Sequence, residues 1–226
     1  MPILLFDIDG TLVRTGGAGK AAMEGALRTA FGVKELNDTV PYSGRTDRAI
    51  SRDLLTVHGI DPTPENQKRL TETYLEMLPS ELNSKGGEVC PGILEILSEA
   101  KRHESVLLGL LTGNVRRGAA KKLGHFDLWN HFTVGGFGDD HFDRDDVARS
   151  AVAAVQAHVG QDVNFTDLWI IGDTPLDVQC ARAVGAKVIA VATGWNPLSE
   201  LEACQPDVVL EDLSNTRDLM RMWGFR

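Results

Sequence analysis

Six short apolar runs separated by helical patterns constrain this chain most. The runs are Ile3 to Phe6, Val106 to Leu111, Phe132 to Val134, Leu168 to Ile171, Val188 to Val191 and Val208 to Leu210. Helical periodicity falls between them at Ile93 to Arg102, Arg116 to Leu123, Asp145 to His158 and Pro175 to Val184. Runs too short for helices and apolar throughout read as strands buried on both faces, and strands separated by helices imply parallel βαβ units. The expected fold is α/β: a three-layer, Rossmann-like core with a central parallel sheet.

One interval breaks the rhythm. Between the first strand and the helix beginning near Pro91, the pattern is helical and contains no convincing strand. A first helix carries Ala22, Met23, Ala26, Leu27, Ala30 and Phe31 and stops at Gly32; a second carries Ala49, Ile50, Leu54 and Val57 and stops at Gly59. A third has Thr63 as N-cap, Pro64 at its first position and Leu70, Tyr74, Met77, Leu78 and Leu82 on one face. The expected division is therefore a core of residues 1–13 and 89–226, with a small all-helical cap of residues 14–88 inserted after the first strand.

Three core strands end on polar residues: the first on Asp7, the second on Thr112, the fourth on Asp173. Ligands of open parallel sheets sit outside the carboxyl ends of the strands, so these groups can converge on one crevice although they are distant in sequence. Asp7 and Asp9 flank Ile8 just before the Gly10-Thr11 turn, so both carboxylates, or one carboxylate and a backbone carbonyl, can face a common centre. A solvated turn is the alternative for this segment taken alone.

In Gly172-Asp173-Thr174-Pro175-Leu176-Asp177, three residues have a helix-capping explanation, with Thr174 as N-cap, Pro175 at the first position and Asp177 complementing the dipole. Asp173 has none. Its carboxylate beside Asp7 and Asp9 would be costly unless a cation neutralised it, and an all-oxygen ligand set favours Mg²⁺ over zinc. Magnesium in turn suits a phosphate-bearing substrate. Thr112-Gly113-Asn114 offers a hydroxyl, and Asn114 can cap the next helix and turn its free N–H groups toward an anion. Alone this is a strand-to-helix turn; third in the series, it reads as a phosphate grip.

These stretches, "FDIDGTLV", "LLTGN" and "IIGDTPLDVQCARAVGA", resemble the haloacid dehalogenase superfamily in order and position, and "GDTPLDV" resembles its phosphoglycolate phosphatase-like branch, whose helical cap also follows the first strand. The resemblance implies an aspartyl-phosphate mechanism. In it Asp7 is the nucleophile, Asp9 the general acid/base, Thr112 a phosphoryl contact, Asp173 a magnesium ligand with Asp7 and Asp9, and Asp177 a supporting carboxylate. Gly113 and Asn114 would bind substrate. The implied activity is Mg²⁺-dependent hydrolysis of a small phosphorylated metabolite, either phosphoglycolate-like or a sugar phosphate. A sugar phosphomutase and a non-catalytic phosphometabolite-binding protein are the alternatives.

The family's lysine-proline step before the helix leading to the fourth strand does not occur here. Arg144 stands in that region and is preferred over Lys121 or Lys122, whose "AAKKLG" setting reads as a solvated helix face. In the insertion, Arg45 can reach an anionic substrate group or form a surface ion pair. Trp195 and Asn196 can line the crevice or pack as a loop.

Composition narrows partners. A net charge of -9 argues against nucleic acid and anionic membrane surfaces. Cys90, Cys180 and Cys204 lack any paired spacing, so reduced thiols in a cytoplasmic protein are expected, and the N-terminal stretch has neither a basic region nor a long apolar one. A monomer or homodimer is expected. "TGGAGK" fits neither phosphate-loop nor dinucleotide fingerprints and is read as flexible backbone leading into the cap.

Overall fold

The computed structural model describes residues 1–103, 106–160 and 167–225. Six strands form one parallel sheet: β1 (Ile3–Phe6), β4 (Leu107–Leu111), β5 (Val134–Gly136), β6 (Leu168–Gly172), β7 (Lys187–Val191) and β8 (Val208–Leu210), in the order β5-β4-β1-β6-β7-β8. β1, β4 and β6 are buried along their whole length, which is why their sequences are apolar without alternation.

The pleat divides β1 between two hydrophobic layers. Leu4 and Phe6 face α4 (Ile93–Arg102), α5 (Arg116–His125) and α9 (Thr216–Met222), whereas Ile3 and Leu5 face α6 (Arg144–Val159), α7 (Pro175–Ala183) and α8 (Leu198–Ala203). This is the expected three-layer core. β1 pairs with β4 on one side and β6 on the other, so the order reverses at β1 and leaves a crevice at the carboxyl ends of the three strands.

Three helices lie between β1 and α4: α1 (Ala18–Phe31), α2 (Asp47–Val57) and α3 (Pro64–Lys85). They bury a third apolar cluster that includes Met23, Leu27, Ile50, Leu54, Leu70 and Tyr74, with Val115 contributed from the start of α5. Thr63 caps α3 by accepting from Asn66 N–H at 3.2 Å, and Gly32 ends α1 with a left-handed φ of 69°. A two-residue antiparallel ladder, β2 (Val13–Arg14) with β3 (Glu88–Val89), ties the two crossings between this helical unit and the sheet.

One strand sits further along the chain than its apolar residues suggest. β5 runs over Val134, Gly135 and Gly136, not Phe132 to Val134. A Cβ on Gly136 would collide with the Val147 carbonyl of α6, so glycine is what lets that helix seat on the strand. Phe132 instead packs edge-on against Phe6, with ring centroids 6.2 Å apart. Among the described residues no helix is long and apolar enough to cross a membrane.

Candidate active site

Strand register puts the acidic residues together. Phe6 lies opposite Leu110 and Ile171, so the chain emerges from β1 at Asp7 just where β4 ends before Thr112 and β6 before Asp173. The Asp7 N–H donates to the Ile171 carbonyl at 2.9 Å. Carboxylate oxygens of Asp7, Asp173 and Asp177 then lie within 4.8 Å of one another, all three side chains buried.

One guanidinium serves this cluster. Arg144, at the first position of α6, is buried, and its Nη2 lies 3.1 Å from Asp7 Oδ2 and 2.5 Å from Asp177 Oδ1. Its Nη1 donates to the Gly44 carbonyl at 3.0 Å, while its buried Nε has no partner among the described residues. Burial opposes the arginine's charge, but Asp177 and Asp7 outweigh burial and hold it protonated.

A single positive charge does not compensate three buried carboxylates. Burial, opposed by Arg144 and reinforced by Asp177 and Asp9, pushes the Asp7 carboxyl up to about 6. Burial together with Asp177 and Asp7 pushes Asp173 well above the carboxylate range. Asp177 is already committed: one oxygen meets Arg144, and the other accepts from the Thr174 N–H at 3.0 Å and hydroxyl at 2.7 Å at the start of α7. Among the described residues Asp173 accepts only from the Thr11 hydroxyl, at 3.2 Å. Asp7 and Asp173 are therefore the carboxylates left to hold a hard divalent cation, and their all-oxygen character and uncompensated charge fit one.

Asp9 lies on the open side, with its side chain 41% exposed. Its Oδ2 accepts from Lys122 Nζ at 2.5 Å and from Asn114 Nδ2 at 2.8 Å. Lys122 is thus not on a solvated helix face: it is buried at 4% exposure, whereas Lys121 is half-buried. The helical period separates the two lysines, since Val115, Gly118, Ala119 and Lys122 follow i, i+3, i+4, i+7 and share the buried face of α5. Gly19 of α1 packs over the ammonium, so Lys122 stands at the seam between sheet and helical unit.

That seam also accounts for the "TGN" segment. Asn114 does not cap α5: its Nδ2 donates to Asp9 and to Thr112 Oγ1, both at 2.8 Å, while its Oδ1, the atom a cap would use, has no partner among the described residues. Carboxylates cap α5 instead: Asp47 Oδ2 accepts from Val115 N–H at 2.9 Å and Asp139 Oδ2 from Arg116 N–H at 2.8 Å. The Asp47 N–H in turn donates to the Gly113 carbonyl at 2.8 Å, docking loop 42–46 on the sheet. Burial pushes the Asp47 carboxyl up to about 6 against the pull of Lys122 and the Val115 N–H. Gly113 lines the cavity and, lacking a Cβ, admits the Arg45 backbone; Thr112 is fully buried beneath Asn114.

Arg45 forms an ion pair: Nη2 lies 2.5 Å from Asp53 Oδ2, and Nη1 donates to the Pro41 carbonyl at 3.1 Å. Trp195 stands 90% exposed at the cavity mouth, while Asn196 turns aside to donate to Glu200 at 2.9 Å. Gly16 and Gly17, at the entry to α1, adopt left-handed φ of 60° and 84° and line the same cavity.

The cavity holds roughly 920 Å³ between the sheet and the helical unit, with Asp7, Asp9, Asp173, Lys122 and Arg144 in its wall. A carboxylate to attack, a second carboxylate two residues on to move a proton, and flanking cations to bear developing negative charge suit displacement at an electrophile of high negative charge.

The chain is 28% identical to a phosphoglycolate phosphatase of Synechococcus elongatus, covering 95% of each chain, and 24% identical to one of Pectobacterium atrosepticum, covering 96% of this chain and 91% of the other. Among solved structures it superposes on CbbY from Rhodobacter sphaeroides, determined in complex with phosphate, with a TM-score of 0.76 at 21% identity, covering 95% of this chain and 96% of that one. The family model for haloacid dehalogenase-like hydrolases matches residues 4–182. That span runs from β1 through α7 and takes in every carboxylate of the cluster and both buried cations, so the chain belongs to the haloacid dehalogenase-like hydrolase family.

Proposed function

We propose that this chain is a Mg²⁺-dependent phosphatase that hydrolyses a small phosphorylated metabolite through an aspartyl-phosphate on Asp7. The observation that carries the reading is the meeting of Asp7, Asp173 and Arg144 at the carboxyl ends of β1 and β6, with Asp9 facing the same cavity. The similarity to phosphoglycolate phosphatases supports the reaction class.

In the first half, a carboxylate oxygen of Asp7 bonds to phosphorus as the phosphorus–oxygen bond to the alcohol breaks, and Asp9 gives its proton to the departing oxygen. In the second, Asp9 takes a proton from water as that water attacks phosphorus, releasing inorganic phosphate and restoring the Asp7 carboxylate. Arg144 orients Asp7 and bears part of the phosphoryl charge. Asp7 and Asp173 would hold Mg²⁺, which supplies charge neutralisation for the carboxylate and the phosphate. Residues 14–88 act as the cap that covers the site, with Gly16 and Gly17 at its hinge.

The test is phosphate release from a broad panel of phosphomonoesters, with Mg²⁺ and after chelation. Release that disappears on chelation and returns with Mg²⁺ is expected; release indifferent to chelation contradicts the cation's role. Isomerised sugar phosphate without free phosphate would indicate a phosphomutase, and binding without turnover across the panel a sensor.

Two substitutions test the supporting groups. Gly194 lies against Asp173 so closely that a Cβ there would collide with Oδ2. Gly194→Ala is expected to raise the Mg²⁺ concentration needed for half-maximal rate by about 10–100-fold, as displaced ligand supports do, with an unchanged circular dichroism spectrum. Lys122→Met removes one of the two donors fixing Asp9 and is expected to lower kcat by about 10–100-fold with little change in KM. Measured kinetics with a raised KM and unchanged kcat would assign Lys122 to binding instead.

A further inference from the structure

Every cation that lines the cavity is already partnered by the protein's own oxygens. Lys122 meets Asp9 at 2.5 Å, and Arg144 meets Asp7 at 3.1 Å and Asp177 at 2.5 Å. Arg45 is tied to Asp53 at 2.5 Å and to a backbone carbonyl. Arg14 donates to the Thr193 carbonyl at 2.7 Å and to Glu88 at 2.8 Å. Lys20 lies 3.3 Å from Asp38 and 3.6 Å from Glu24.

The wall away from the acidic cluster is correspondingly apolar. Met23, Val40, Ile50 and Tyr74 come from the helical unit's own hydrophobic cluster and line the cavity, together with Tyr42. The Tyr42 hydroxyl is buried and has no partner among the described residues. Burial, with the carboxylates Glu24, Asp38 and Asp47 behind it, raises the phenol above its usual range, so this wall keeps a neutral hydroxyl, with Lys20 Nζ 5.8 Å from the ring centre and paired to Glu24 and Asp38. The volume of roughly 920 Å³, which the phosphate shares with the leaving group, is near the upper end of drug-sized ligand sites and larger than a two-carbon phosphoester needs.

We infer that the alcohol released here is uncharged and partly apolar, larger than glycolate, with a polar atom placed to meet Tyr42. The inference rests on the phosphatase reading and narrows its substrate class. A substrate carboxylate would enter an apolar wall and, to use Arg144, Lys122 or Arg45, would have to take that cation from the carboxylate already placed against it. A neutral aromatic or aliphatic alcohol covers Met23, Val40 and Ile50 and leaves those pairs intact.

Benzyl phosphate and 4-carboxybenzyl phosphate separate charge from size, because they share a primary benzylic leaving oxygen and differ by one carboxylate; 2-phosphoglycolate adds the small charged case. With the full chain and Mg²⁺, kcat/KM for benzyl phosphate is expected to exceed both others by about tenfold or more. Equal values, or a preference for either carboxylate, overturn the inference while leaving the phosphatase reading intact. Phosphate release from none of these, nor from 4-nitrophenyl phosphate, overturns the phosphatase reading and the inference with it. Tyr42→Lys, in a loop, places a cation on the wall and is expected to move the ratio toward 4-carboxybenzyl phosphate by about tenfold. An unmoved ratio contradicts the assignment of that wall to the leaving group.

Discussion

Asp7→Asn is expected to abolish turnover, lowering kcat by on the order of 10⁴-fold or more, as removal of an enzyme's attacking group does. The amide keeps the shape of the carboxyl but has no oxygen able to form the acyl phosphate. Its effect on folding should be small. Asp7 is buried with its carboxyl raised to about 6, so its charged form already carries a desolvation cost, which a neutral amide removes. Arg144 keeps Asp177 as its partner after the change. A thermal melt close to the unsubstituted protein's should therefore accompany the lost phosphate release. Retained turnover would remove Asp7 from the role of nucleophile; lost turnover with a collapsed melt would assign it to the fold.

Arg144→Met is expected to damage both fold and reaction. It deletes the one guanidinium between Asp7 and Asp177 and leaves two buried carboxylates facing Asp173 without it. Removing one partner of a buried ion pair costs about 3–5 kcal/mol, because the remaining charge stays desolvated. Chemical denaturation in the absence of Mg²⁺ should show a loss of that size. In the double variant Arg144→Met/Asp177→Asn the loss should be smaller than the sum of the two single losses, since the second change removes part of the stranded charge. Arg144→Lys should recover a share of the stability but less of the rate, because an ammonium cannot reproduce the fork that reaches Asp7, Asp177 and the Gly44 carbonyl together. A Met variant as stable as the unsubstituted protein would show that the cluster does not depend on this charge.

The sheet and the acidic residues at its carboxyl ends were legible for one reason: both depend on local pattern. Unbroken apolar runs mark strands covered on both faces, and a polar residue straight after such a run must lie at a strand end, as Asp7, Thr112 and Asp173 do. What was not legible depends on contacts between distant segments. Lys122 looks like one of two adjacent helix lysines until α1 packs Gly19 over it and Asp9 meets it from a residue 113 positions away. Asn114 carries the residue type of a helix cap, but Asp47 and Asp139 reach α5 from other segments to cap it, and the Asn114 amide donates to Asp9. The apolar residues point to a β5 that begins earlier than the strand does, because Gly135 and Gly136, which weaken a strand by local preference, are required there by the closeness of Phe137 and α6. The two-residue β2 and β3 and the six-residue α8 are too short to show a period.

The central claim is that Asp7 forms a covalent bond to phosphorus during turnover. The most direct measurement is an acid quench of the enzyme during turnover of a phosphate-labelled substrate with Mg²⁺, followed by tryptic mapping. The account predicts hydroxylamine-labile label on the peptide spanning residues 1–14, which ends at Arg14 and carries Asp7. The label should be absent from Asp7→Asn and, with a leaving group such as 4-nitrophenolate that needs no proton, present in the Asp9→Asn protein. Label on another peptide, or turnover with no labelled protein at any quench time, would contradict it.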